Sequence, residues 1–100
     1  MYDVSVSDEA QKMFKAHLKF LSNVSIRATR KLKNEFQKVK NELAKNPLAY
    51  PLWQTEQKIT KPYRRLIFGK RYLVIYAVEG KRVIVTYILD CRMNNVRLIL

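Results

Sequence analysis

Two glycines, three prolines, one cysteine and one histidine in 100 residues exclude several kinds of chemistry at the outset. A single Cys and a single His cannot furnish a Cys/His zinc set. Cys91 has no partner for an internal disulfide, which suits a reducing cytosol. Neither GxGxxG nor a Walker phosphate cradle occurs. The eight acids are scattered, with no two placed as a catalytic pair, and no Ser/His/Asp arrangement can be argued. No apolar run reaches the roughly 18–20 residues that cross a bilayer. The first residues, MYDVSVSDEA, lack the basic and apolar regions of a signal peptide. The expectations are therefore no metal, no cofactor, no membrane association and a cytoplasmic location.

What is abundant is apolar and basic. At 48% hydrophobic residues the chain is globular, and its length suits one core, hence a single domain over 1–100. Twenty Lys/Arg against eight Asp/Glu give a net charge of +12. A field of that size attracts polyanions: nucleic acid, an anionic membrane or an acidic protein.

Tyr2, Val4 and Val6 alternate with Asp3 and Ser5, a short half-buried strand. Ser7 is placed to cap a helix whose first turn carries Asp8 and Glu9. Ala10, Met13, Phe14, His17, Leu18 and Leu21 then form one apolar stripe interrupted only by His17, which is read as a structural residue. Ser22–Ser25 breaks the helix and offers the next cap. A second helix puts Ala28, Leu32, Phe36, Val39 and Leu43 on one face and ends at Asn46-Pro47, because Pro47 disfavours helical geometry at Asn46. Residues 46–62 hold all three prolines and Trp53, a loop that Trp53 anchors to the core.

Runs 63–68, 72–78 and 83–89 are separated by turns at Gly69-Lys70 and Glu79-Gly80, which predicts a three-stranded antiparallel meander. Its middle run is apolar throughout, as for a strand covered on both faces. The first strand pairs with one of these, since alone its backbone groups would go unsatisfied. The fold class is α+β, β-α-α-β-β-β, with an N-terminal helical hairpin packed on a small, mostly antiparallel sheet. The tail 93–100 is too short to assign.

Charge concentrates on the same stretch. Lys58, Lys61, Arg64, Arg65, Lys70, Arg71, Lys81 and Arg82 face a single acid, Glu79, between Gln57 and Arg82. Lys and Arg bind phosphate, and they stabilise charge developing on a phosphodiester under attack. Tyr63, Tyr72, Tyr76 and Tyr87 are candidates to stack bases, although Tyr72 and Tyr76 share a strand face and read mostly as core. Arg64 and Arg65 point to opposite faces.

The order of elements, with Asn46-Pro47, Tyr63-Arg64-Arg65-Leu66, Tyr72-Leu-Val-Ile-Tyr76, Gly80-Lys-Arg-Val83 and the closing Asp90-Cys91-Arg92, resembles the RelE/ParE superfamily of bacterial toxins over essentially the whole chain. The resemblance implies the toxin of a type II toxin–antitoxin pair, with a cognate antitoxin as partner. Two branches differ in mechanism. RelE-like toxins cleave mRNA on the ribosome; Arg92 matches their end-of-strand arginine, with Arg65 and Lys61 as further catalytic candidates. Leu73 stands where those toxins carry an arginine, and no Tyr or His follows Arg92. Asn46-Pro47 and the Tyr72–Tyr76 strand look more like the ParE branch, which inhibits DNA gyrase by binding it. Lys58, Tyr63, Arg64, Arg71, Lys81 and Arg82 are then the candidate contacts to a target or nucleic acid. A basic nucleic-acid-binding module without toxicity is the reading that charge alone permits.

Overall fold

The computed structural model describes residues 1–53 and 62–92. Lys58, Lys61 and the tail after Arg92 lie outside them. Within them the chain runs β1 (Asp3–Val6), α1 (Asp8–Ser22), α2 (Ile26–Lys45), a 3₁₀ turn (Pro47–Ala49), β2 (Arg64–Phe68), β3 (Tyr72–Glu79) and β4 (Arg82–Asp90). This is the expected α+β order.

The helix ends follow local chemistry. The Ser7 hydroxyl accepts the Ala10 N–H at 3.1 Å and the Ser25 hydroxyl accepts the Ala28 N–H at 3.1 Å, so each helix has an orphan donor satisfied by the residue expected to cap it. The Asn46 N–H closes α2 on the Glu42 carbonyl, and Pro47 then starts the 3₁₀ turn.

The four-stranded sheet has the order β1-β4-β3-β2. β2, β3 and β4 form the antiparallel meander, while β1 pairs parallel with β4, Val4 opposite Val83 and Val6 opposite Val85. β1 and β4 are joined through both helices and the first two strands of the meander, a connection long enough to bring β4 beside β1 in the same direction. A bulge leaves Thr86 unpaired between Val85↔Tyr76 and Tyr87↔Ile75. The Ser7 hydroxyl bonds to the Thr86 carbonyl at 3.1 Å, which ties the bulge to the start of α1. The extra residue shifts the alternation, so Val83, Val85 and Ile88 all reach the helix-side core while Leu89 packs on the other face.

The helices cover one face of the sheet. A run of aromatic contacts joins the layers: Phe14 to Phe36 (4.5 Å between centroids), Phe36 to Phe68 (5.8 Å), Phe68 to Tyr72 (5.6 Å) and Tyr72 to His17 (5.2 Å). Each such pair contributes about 0.5–1.5 kcal/mol beyond its buried area. Trp53 is buried, but against Leu73, Ile75 and Leu89 on the face away from the helices. β3 is therefore apolar throughout because both its faces are covered.

Candidate functional site

The turns at the ends of β3 divide the basic residues between two ends of the molecule. One end carries the interhelical turn, the 69–71 turn and the close of β4: α1 begins beside Val85, His17 reaches Ile88, and Cys91 N–H bonds to the Arg71 carbonyl. The other end carries the β3–β4 turn, where Asp3 N–H bonds to Lys81 and Tyr2 N–H to Ala44. Eight strand residues separate the ends, roughly 25 Å at the usual rise. Arg71 and Arg92 thus stand far from Lys81 and Arg82.

Arg64 and Arg65 diverge as the alternation of β2 requires. The Arg64 guanidinium donates to the Tyr50 carbonyl at 2.6 Å and approaches the Leu48 carbonyl at 3.4 Å. Beside it in register, the Tyr76 hydroxyl donates to the Pro47 carbonyl at 2.7 Å. Together they hold the segment that leaves α2, so Arg64 Nη1 is committed to the fold. Arg65 is exposed on the opposite face, where Leu52, Trp53, Ile67, Leu73 and Cys91 share a shallow hollow of about 320 Å³ with it. Tyr63 and Tyr87 pack half-buried around that same cluster, and Leu73 is buried in it. Burial pushes the Cys91 thiol pKa up, an effect that the nearby Asp90 carboxylate adds to, so the thiolate is disfavoured.

The close of β4 holds the densest polar arrangement. Arg92 Nε and Nη2 fork onto the Asp90 carboxylate at 3.0 and 2.7 Å, and the Arg92 N–H adds a third bond at 2.9 Å. These bonds, chiefly the guanidinium fork, hold the Asp90 pKa below its usual range despite burial, and the same fork raises that of Arg92. The Arg92 charge is therefore largely matched within the chain. His17 Nε2 lies 2.8 Å from the Ile88 carbonyl, so that nitrogen carries the proton and donates, the structural role expected of it. Tyr72 is buried, which raises its phenol pKa.

Next to this cluster a cavity of about 270 Å³ opens between the hairpin and the 69–71 turn. Leu21, Ala28, Leu32 and Tyr72 supply apolar walls, and Lys31, Lys70, Arg71 and Glu35 the polar ones. Gly69 and Lys70 both have positive φ, 58° and 67°. Gly69 suits that φ, and an added Cβ would lie 2.8 Å from Glu35 Oε2, the far end of a side chain that can swing aside. Sequence reasoning named Arg71 as a candidate contact and did not name Lys31, which lies off the apolar face of α2. A signal was available: residues 10–34 contain Lys12, Lys15, Lys19, Arg27, Arg30, Lys31 and Lys33 and no acid at all. Among the described residues no group of three or more His, Cys, Asp or Glu is placed to hold a metal, and no helix is long and apolar enough to cross a membrane.

A family model described as the ParE toxin of type II toxin–antitoxin system, parDE, matches residues 4–95. Among solved structures, a chain of the chromosomal ParDE toxin–antitoxin system from P. aeruginosa is similar, with a TM-score of 0.68 at 16% identity over 90% of this chain and 96% of that one. At that identity the likeness concerns the fold. No curated protein matches closely enough in sequence to count as a relative.

Proposed function

Since the chain belongs to the ParE toxin family of type II toxin–antitoxin systems, we propose that it arrests bacterial growth from the cytoplasm by binding DNA gyrase, without cutting a bond itself. An antitoxin is its partner in the pair. The observation that supports binding over cleavage is the Asp90–Arg92 fork. An arginine that stabilises charge developing on a phosphodiester acts through an unspent positive charge aimed at that group. Here the end-of-strand arginine is already bonded to a carboxylate through both Nε and Nη2. The supporting pieces are also occupied: Leu73 is buried where a cleaving relative would carry a central-strand arginine, and His17 Nε2 is engaged by the Ile88 carbonyl. Phenols whose pKa is raised by burial, as at Tyr72, are poor proton carriers near neutral pH.

The test runs two assays on one preparation, gyrase supercoiling and translation-dependent mRNA cleavage. Supercoiling should be blocked while mRNA stays intact, and Arg92→Ala should inhibit gyrase within about twofold of wild type. Cleavage of translated mRNA that disappears in Arg92→Ala would overturn the proposal in favour of a ribonuclease.

A further inference from the structure

The face of the helical hairpin turned away from the sheet is a continuous cationic surface. On α1, Lys12, Lys15 and Lys19 follow the i, i+3, i+7 spacing opposite Ala10, Phe14 and Leu21, so they form one exposed row. On α2, Arg27 and Arg30 are exposed opposite Leu32, Phe36, Val39 and Leu43, and Lys33 is exposed beside them. Phe14 and Phe36 meet at 4.5 Å between ring centroids, so the helices are direct neighbours and their outer rows share one surface. The chain has no carboxylate from Ala10 to Asn34. Asp8 and Glu9 stand at the start of α1, while Glu35 and Glu42 turn to the flank beside Tyr50, Leu66 and Phe68 of the loop and β2.

This arrangement works against the stability of the hairpin. α1 begins on Asp8 and Glu9, as the helix dipole favours, but the first turn of α2 has no acid and carries Arg27. Lys12 with Lys15, Lys15 with Lys19 and Arg27 with Arg30 add like charges at helical neighbour spacing, which repel. Charge kept at that cost is intelligible where an anion meets it.

We propose that this outer hairpin face binds the phosphate backbone of a nucleic-acid duplex, without regard to base sequence. Such binding is additional to any grip on gyrase and does not depend on it. From Lys12 to Lys19 the row covers roughly 10 Å, the rise of about three phosphates along one strand. The exposed amides of Asn34, Gln37 and Asn41 extend the polar face along α2, and amides as well as cations bond to phosphate. An anionic membrane or a protein partner would need apolar side chains to bury. Among the described residues, the large exposed ones of the hairpin, Phe20, Val24 and Ile26, gather at the interhelical turn, at one end of this face. Beyond Phe20 it offers no aromatic ring on which unpaired bases could stack, so a duplex fits it better than a single strand. A second copy of this chain would bring like charge against like.

The test titrates a fluorescent duplex of about 20 base pairs and arbitrary sequence with the purified full chain, from about 50 to 200 mM salt, and reads anisotropy. With all six cations engaged, log K should fall against log salt with a slope of about −5. Lys12→Gln/Lys15→Gln/Lys19→Gln should flatten that slope by about 2.7 and weaken binding about tenfold or more at the lower salt. Glutamine matches lysine in helix propensity, and circular dichroism checks that each variant folds. Lys45→Gln/Lys81→Gln/Arg82→Gln removes the same charge at the opposite end and should leave the slope within about 0.5 of wild type. A control that loses as much as the hairpin variant would show net charge acting without a defined face, and would overturn the proposal. Failure of the wild-type chain to bind the duplex at the lower salt, or tighter binding of a single strand of equal length, would overturn it as well. Phosphatidylserine vesicles are the last probe: vesicle binding lost in the hairpin variant, with duplex binding unchanged, assigns the face to lipid and refutes the proposal.

Discussion

Removing one hydroxyl, Tyr76→Phe, isolates how the sheet holds the chain as it leaves α2. Tyr76 is fully buried, its ring lies in the helix-side core, and its hydroxyl bonds to the Pro47 carbonyl at 2.7 Å. Phenylalanine keeps the ring and deletes the bond, leaving a buried carbonyl short of a donor. The cost at pH 7 is about 1–2 kcal/mol. A chain of this length then melts roughly 5–15 °C lower. The pH dependence is more diagnostic. Burial pushes the Tyr76 phenol from 10.0 up to about 12, with Arg64 pulling slightly the other way. The unfolded chain therefore loses this proton first as pH rises. Stability from the neutral phenol is complete below pH 10 and falls by about 1.4 kcal/mol per unit between 10 and 12. The wild-type advantage over Tyr76→Phe should shrink to about zero near pH 11 and reverse by pH 12. Tyr72, whose pKa burial also raises, is present in both proteins and cancels in the difference, whereas charge on the Tyr50 phenol raises the Tyr76 pKa further. Urea denaturation of both proteins from pH 7 to 11.5 measures this. A gap that stays constant over that range would refute the placement of the phenol in a buried, bonded site.

Asp90→Asn removes the carboxylate under Arg92. Because the Asp90 pKa is depressed in the folded chain, its contribution is present above 3.8 and lost as pH falls through the lower folded value; the variant should melt lower than wild type at pH 7, with the gap closing towards pH 2 in thermal scans. Gly69→Ala and Gly80→Ala both force alanine to a left-handed φ, +58° and +60°, costing roughly 1–2 kcal/mol each. Gly69→Ala also meets Glu35 Oε2 at 2.8 Å, but that carboxylate is the free end of a flexible side chain, so the two variants should differ by less than about 0.5 kcal/mol in urea melts, the scale of the Lys31 pair it would give up. A markedly larger penalty at Gly69 would mean that Glu35 is fixed in place.

The elements were legible because each has a local cause. Ser7 and Ser25 cap as their side chains allow, Pro47 stops α2, and β3 reads as doubly covered because both its neighbours and both its faces are occupied. The Thr86 bulge had no such signal. Thr86 is an ordinary strand residue, and the extra position is set by Ser7 and α1 meeting β4 from 79 residues away. The side on which Trp53 lands was equally hidden: its size announces an anchor, but only the finished sheet shows that the helix-side face is already filled.

The basic residues illustrate the same limit more sharply. Counting charge along 57–82 groups residues by proximity in the chain, whereas a meander sends successive turns to opposite ends. Arg71 and Arg82 are eleven positions apart and sit at the two ends of β3; Lys31 and Lys70 are thirty-nine apart and line one cavity. Alternation then divides what remains, so that Arg64 bonds to the Leu48–Tyr50 carbonyls while Arg65, the next residue, is exposed on the other face. A linear tally therefore measures how strongly the chain attracts an anionic partner and says little about where the partner sits. Placement comes from which turns share an end, and the interhelical and 69–71 turns do so because α1 runs along β4 from Val85 to Ile88 before the chain reverses. That geometry puts cations of the helices and of the meander around one hollow, although no stretch of sequence contains them together.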